Sequence, residues 1–226
     1  MTRIRAALQR RTSETDNGMT LVELLVSMGI LTVIIGMFMG GVVVMTKDTS
    51  RAQGVSNAGD AARKVFQRMD KEIRYSSSIN RPGVGTTAGT YYVEYLISAV
   101  GAGQKPLCTQ WRYTSSTRTL DVRTWRVQAT PVVSGWNTMA VNVRNNLSVS
   151  TQLPFVFTPA GSTYQRQQLR VFLDMGVGSG TTAKAGAQLD SYFFARNTSA
   201  ASQSNPESVS VPGQSANPVC TGPGRP

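Results

Sequence analysis

The sequence predicts an α+β chain. One long N-terminal helix, apolar enough in its first half to span a membrane, leads into a head of short antiparallel strands. Three observations carry this. Residues 19–45 form an apolar run with a single charge, Glu23. An amphipathic helical stripe follows over residues 58–73. Beyond Pro82 the pattern changes to short apolar stretches broken by turn residues.

Residues 1–18 form a polar leader with Arg3, Arg5, Arg10 and Arg11 against Glu14 and Asp16. The apolar run starts directly after Gly18. As a helix, 27 residues rise about 40 Å, more than the roughly 30 Å hydrocarbon core of a bilayer. The four leading arginines favour an N-terminus kept in the cytoplasm and a head placed outside. A secretory signal would have a shorter apolar stretch and a small-residue cleavage site after it. A carboxylate five residues into the run costs a few kcal/mol in lipid and calls for a cationic partner. A free α-amino group at Met19, created by cleavage after Gly18, would supply one.

The run Gly18-Met19-Thr20-Leu21-Val22-Glu23-Leu24-Leu25-Val26 resembles the processing signal of the type IV pilin family. The resemblance implies cleavage between Gly18 and Met19 by a prepilin peptidase and N-methylation of Met19. It implies that Glu23 recruits and registers the subunit by meeting the terminal amine of a neighbour. It also implies the family's layout, a long helix packed on an antiparallel head. The implied partners are other pilin or pseudopilin subunits, the peptidase, an inner-membrane assembly platform, and the bilayer before assembly. Met at position 19, where the family more often has Phe, is a departure. Gly40-Gly41, where many pilins carry a helix-bending proline, is another, and the pair could loosen the helix there.

Residues 46–80 read as the amphipathic second half of the helix. Ala58, Ala62, Val65, Phe66, Met69 and Ile73 share a face, and Arg63, Lys64, Gln67, Asp70, Lys71 and Arg74 lie opposite. The stripe reads as a seam against a sheet, and Asp60–Lys64 and Asp70–Arg74 are acid-first pairs. The helix is expected to end near Ser76–Asn80. Residues 81–198 read as the β-rich head, with strands at 91–98, 107–114, 118–127, 139–143, 155–158, 168–175 and 191–196. A tight turn at Ser115-Ser116-Thr117 makes the second and third a hairpin. Residues 199–226 are rich in Ser, Asn, Pro and Gly and read as a flexible tail unless Cys220 pins them.

Phe66-x-x-x-Asp70-x-x-x-Arg74, the Trp111-Arg112-Tyr113…Leu120…Arg123 hairpin, and Leu169–Met175 followed by Phe193–Asn197 loosely resemble J-type minor pseudopilins of type II secretion and large minor pilins. That resemblance implies a place at or near a filament tip, where the subunit helps start assembly.

Composition excludes much chemistry. The 226 residues contain no histidine and two cysteines. This removes His-based catalytic triads and the common zinc sites. Met175–Lys184 is glycine rich but lacks the Gly-Lys-Ser/Thr ending of a phosphate loop, and it reads as a loop between strands. Asp121, Asp174 and Asp190 are scattered and form no calcium-type run. No cofactor, metal site or enzymatic constellation is expected. Asn146-Leu147-Ser148 and Asn197-Thr198-Ser199 match the glycosylation tripeptide.

Cys108 and Cys220 are either a disulfide pair, as an exported chain permits, or two thiols; both readings stay open. The formal charge is +11. It reads as a solvated surface, with weak affinity for nucleic acid or another anionic polymer as the alternative, as in competence or adhesion. Trp111, Trp125 and Trp136 read as filling a small β-core, with stacking on bases or sugars as the alternative.

Overall fold

The computed structural model describes residues 18–98, 101–176 and 186–226. One long helix precedes antiparallel sheets, an α+β pilin-like architecture. The chain divides into two compact units, one ending at Thr49 and one running from Ser50 to Pro226.

Helix α1 runs Leu21–Arg74 without interruption. It passes straight through Gly40-Gly41, so the pair does not break it. Every side chain from Met19 to Ser50 is exposed. The hydroxyls in this stretch are satisfied within the helix: Ser27 donates to Leu24 O, Thr32 to Met28 O, Thr46 to Val42 O and Thr49 to Met45 O, all at 2.8–3.0 Å. Back-bonding of this kind suits a helix surrounded by hydrocarbon, where no water replaces the missing partner.

From Ser50 onward α1 belongs to the head. Ala58, Val65, Met69 and Ile73 are buried. Burial of each large side chain contributes about 1.5–3 kcal/mol. Phe66, counted on the same face, stays 40% exposed; it lies at the margin, with its ring 5.4 Å from that of Phe193. The helix ends at Arg74, before the expected Ser76–Asn80. Ser76 caps the last turn, its N–H and hydroxyl both donating to Ile73 O. Ser77 N–H then donates to Leu96 O and starts sheet pairing.

Nine strands follow: β1 Ser78–Ile79, β2 Gly83–Val84, β3 Thr90–Ile97, β4 Leu107–Thr114, β5 Thr119–Arg126, β6 Asn137–Ala140, β7 Phe155–Thr158, β8 Gln168–Gly176 and β9 Gly186–Phe194. The seven expected strands are present, two of them (β4 and β7) with the expected bounds and five with shifted ends. Strand β9 starts earlier than residue 191, and Arg118 is a turn residue with φ +55°. The two-residue strands β1 and β2 were not anticipated, because they are too short for any alternation to show. The β4–β5 hairpin pairs Thr114 with Thr119, as the turn at 115–117 requires.

The first sheet has the order β1-β3-β4-β5-β6, with β2 also pairing β3; the second has β7-β8-β9. All pairings are antiparallel. Residues 142–144 join the sheets: Arg144 N–H donates to Asp174 O at 2.7 Å, and Gly176 N–H to Asn142 O at 3.0 Å. One core forms between α1 and the inner faces of both sheets, with Val93, Tyr95, Trp111, Tyr113, Leu120 and Val122 meeting Phe155, Leu169, Val171 and Leu173.

The outer face of the first sheet is also buried, and the reason is the C-terminal segment. Residues 199–226, expected to be flexible unless Cys220 pinned them, are pinned. Cys220 is disulfide-bonded to Cys108 across 112 residues. Asn80 and Val219 exchange two hydrogen bonds at 2.7 and 2.9 Å. Ser204 and Asn205 are buried against β1 and Ala160. Polar composition permitted order here because serine and asparagine side chains bond neighbouring backbone groups directly. Of the glycine-rich run Met175–Lys184, residues 177–184 lie outside the described residues.

Candidate functional site

The N-terminal site begins with three residues that precede the helix, Gly18, Met19 and Thr20, all exposed. Thr20 then starts the helix. Its Oγ1 accepts from Glu23 N–H at 3.3 Å, and its carbonyl accepts from Leu24 N–H at 3.1 Å. Thr20 is therefore the N-cap, with Glu23 at the third helical position, the spacing of a capping box. A carboxylate there also faces the positive end of the helix dipole. Among the described residues no cation pairs with Glu23. It is the only charged side chain from Gly18 to Thr46. Around it Leu21, Val22, Leu24, Leu25 and Val26 present their side chains outward, Leu21 at 76% exposure.

This arrangement leaves Gly18 and Met19 exposed ahead of the helix. It gives lipid, or neighbouring helices, a continuous apolar surface. It leaves one carboxylate in that surface for which an amine is the fitting partner. The sequence of this segment matches the family model of the prokaryotic N-terminal methylation motif over residues 15–39. The segment is a type IV pilin-like prepilin signal. The signal and the apolar helix suit the chain to membrane insertion, to peptidase processing and to association with other pilins in general terms. No curated protein and no solved structure matches the chain. Leader residues 1–17 lie outside the described residues.

The second pair of candidate residues, Cys108 and Cys220, lies in the head unit. Cys108 is on β4, and Cys220 takes a left-handed backbone, φ +60°. Their bond sits at the start of a strap, residues 218–226, over the outer face of the first sheet. Gly224 O accepts from Gln110 Nε2 at 2.9 Å and from Arg123 Nη2 at 3.2 Å. Arg225 forks onto buried Glu94, with Nε to Oε1 at 2.8 Å and Nη2 to Oε2 at 2.7 Å. Tyr92 donates to Pro226 O. A cleft of about 410 Å³ between the strap and the β1–β2 edge is lined by Asn80, Arg81, Glu94, Ser215 and Arg225, among others. Sequence reasoning missed the Glu94–Arg225 pair. Its signal was a lone glutamate inside the apolar run Tyr91–Ile97, which needs a partner if buried.

The tryptophans divide. Trp111 is fully buried and Trp125 nearly so. Trp136 lies instead over two guanidinium groups, Arg112 at 4.1 Å and Arg123 at 4.3 Å from its centroid. The acids divide too. From residue 50 onward the chain has 18 Lys and Arg against 8 Asp and Glu. Every one of those acids except Asp60 holds an arginine: Asp70–Arg74, Glu72–Arg68, Glu94–Arg225, Asp121–Arg112, Asp174–Arg144, Asp190–Arg170 and Glu207–Arg81. Asp121 also accepts from Thr119 and Thr138, so Asp121, Asp174 and Asp190 sit in three separate ion pairs. Among the described residues no cluster of His, Cys, Asp or Glu could hold a metal ion. The two glycosylation tripeptides differ: Asn146 is exposed in a turn with its Oδ1 accepting from Ser148 N–H, whereas Thr198 is buried and its hydroxyl is bonded to Ala195 O and Gln167 N.

Proposed function

We propose that this chain is a minor pilin or pseudopilin, a non-enzymatic subunit of a type IV pilus or type II secretion-like filament. The single observation that carries this is the prepilin signal, in which Gly18, Met19 and Glu23 stand in register before an uninterrupted apolar helix. The peptidase cleaves between Gly18 and Met19 and methylates the new amine. The helix first lies in the cytoplasmic membrane with the head outside. It then leaves lipid for a bundle of like helices, contributed by other subunits on the assembly platform.

Within that bundle the new Met19 amine of one subunit meets Glu23 of another. An unpaired carboxylate in an apolar bundle is costly, so the pair sets axial register. The large head and the J-like runs support a place at the tip, where the subunit helps start assembly. One of those runs, Asp70–Arg74, forms an ion pair at the helix end. Nucleic-acid binding by the basic head draws less support, because most arginines on the sheets are held by acids or carbonyls of the head itself.

The test is intact mass and N-terminal sequence of the protein from membranes of cells with and without prepilin peptidase. Loss of residues 1–18 and a methyl group on Met19, both dependent on that enzyme, is the expected result. An intact N-terminus, or cleavage after residue 45, overturns the reading.

A further inference from the structure

Strand β9 is an edge of the second sheet and differs from every other edge among the described residues. Strands β1 and β2 have two residues each. Strand β6 has four, with a register shift at Leu120/Asp121. Strand β7 has four, between Pro154 and Pro159. Short length, bulges and flanking prolines are the usual ways in which natural sheets blunt their edges. Strand β9 has none of these. It keeps unbroken register with β8 over nine residue pairs, from Gly186 to Phe194.

Two hydrogen bonds fix which groups face out. Ala195 N–H donates to Gln167 O, and on the other side of β8 Phe172 N–H donates to Pro154 O. Backbone groups alternate along a strand, so odd-numbered residues of β9 turn toward β8. Gln188, Asp190, Tyr192 and Phe194 turn their N–H and C=O groups to the open edge, and no described residue takes them. The side chains of these same residues lie on the uncovered face, with Tyr192 and Phe194 each more than half exposed.

Charge admits a second copy of this chain as the occupant. The head is strongly basic, yet β9 carries no lysine or arginine. Its one charge, Asp190, is matched by Arg170 through two 2.8 Å bonds. Two basic heads can therefore meet along β9 without opposing cations on the strand itself. We propose that β9 pairs antiparallel with β9 of a second copy of this chain, about a two-fold axis at Ser191. The two three-stranded sheets then become one sheet of six strands. In that register Asp190 stands opposite Tyr192 of the second copy and Gln188 opposite Phe194, so no like charges oppose. Confinement of both copies to one membrane, which rests on the proposed function, raises their effective concentration.

The experiment uses the full chain in cell membranes, with the Cys108–Cys220 bond intact. Ser191 falls in a non-hydrogen-bonded pair, where opposed Cα atoms lie about 4.5 Å apart, within disulfide reach. Under mild oxidation Ser191→Cys is expected to form a covalent dimer. Val209→Cys, 99% exposed elsewhere on the head, is the control for chance collision. Adding Tyr192→Pro removes an edge N–H from each copy and is expected to lower dimer yield about tenfold, since edge strands tolerate proline but lose its donor. Dimer formation by Ser191→Cys no faster than by Val209→Cys overturns the proposal. So does a cross-link to a protein of a different mass. The state of the Gly18–Met19 bond, read by mass on the same samples, reports on the pilin reading separately.

Discussion

The Tyr95 hydroxyl donates a 2.6 Å hydrogen bond to Glu72 Oε2, joining strand β3 to helix α1 inside the head. Trp111 Nε1 donates to the same hydroxyl at 2.8 Å, and Arg68 holds the other carboxylate oxygen at 2.9 Å. Helix and sheet are thus tied by a polar chain in an otherwise apolar seam. Tyr95→Phe removes one link and leaves both the carboxylate oxygen and the indole N–H unpaired. We expect a loss of about 1–3 kcal/mol, read as a lower urea midpoint with unchanged slope in the detergent-solubilised full chain.

The same tyrosine gives the head an alkaline limit. Burial pushes its hydroxyl well above the ordinary tyrosine range, and the Glu72 carboxylate beside it pushes further. Burial also raises Tyr91 and Tyr113. For each, the unfolded chain ionises first and so binds fewer protons than the fold. Stability is full below the unfolded value of about 10 and falls as pH rises from there toward the folded values. Unfolding midpoints measured from pH 8 to 11 should drop at the upper end. Tyr95→Phe should flatten that drop, and a variant with an unchanged slope would remove Tyr95 as its source.

At the acid end Asp190 behaves in the opposite sense. Its hydrogen bond from Arg170 holds the carboxyl below the usual range. Stability from this pair is present above the unfolded carboxylate value and is lost as pH falls through the folded one. Asp190 is half exposed to solvent, so the pair's share is small. Arg170→Gln should bring the Asp190 carboxyl resonance back to the ordinary aspartate titration in NMR.

The strap depends on two anchors of different kinds. The disulfide closes a loop of 112 residues, worth about 4–5 kcal/mol in the chain-entropy account. The Glu94–Arg225 fork neutralises a carboxylate whose side chain is only 4% exposed. Glu94→Ala strands Arg225, and we expect a cost of about 2–4 kcal/mol, tempered because Arg225 keeps some contact with water. Thermal unfolding with and without reductant separates the anchors. Reductant should lower the midpoint of both wild type and variant, and the combined loss should fall short of the sum of the two single losses if the strap leaves as one piece.

Helix α1 was legible because its signals are long: 27 apolar residues, then a stripe repeated over several turns. The strands β3, β4, β5 and β8 were legible as stretches rich in apolar and β-branched residues between turn residues, and in β8 residues 170–175 also alternate. Strands β1 and β2 were not, since two residues carry no period. The order of the strap was left open for a physical reason. Its order comes from partners far away in sequence, Glu94, Gln110, Asn80 and Cys108, and local composition cannot report on those. The same limit hid the outer face of the first sheet. Tyr92, Glu94 and Gln110 are buried beneath residues 219–226, and Arg112 and Arg123 are half-covered beside Trp136. At the N-terminus the residues Gly18, Met19 and Glu23 needed no long-range partner to be noticed. The cap by Thr20 was visible only in the fold, because Thr20 reads equally well as part of the apolar run.

That cap separates two tasks at Glu23, and a pair of variants distinguishes them. Thr20→Ala removes the side-chain acceptor for Glu23 N–H and loosens the first turn, at about 0.5–2 kcal/mol of helix stability. It leaves the carboxylate in place, so the subunit should still enter filaments, at reduced yield. Glu23→Gln keeps the shape and the Thr20 bond but removes the charge that an amine would meet. Cleavage after Gly18 should persist, because the Gly18–Met19 bond lies outside the helix. Incorporation into sheared filaments, scored by immunoblot beside the membrane pool, should be lost. Equal incorporation of Glu23→Gln and wild type would show that the carboxylate serves the helix terminus alone, and register would then need another source.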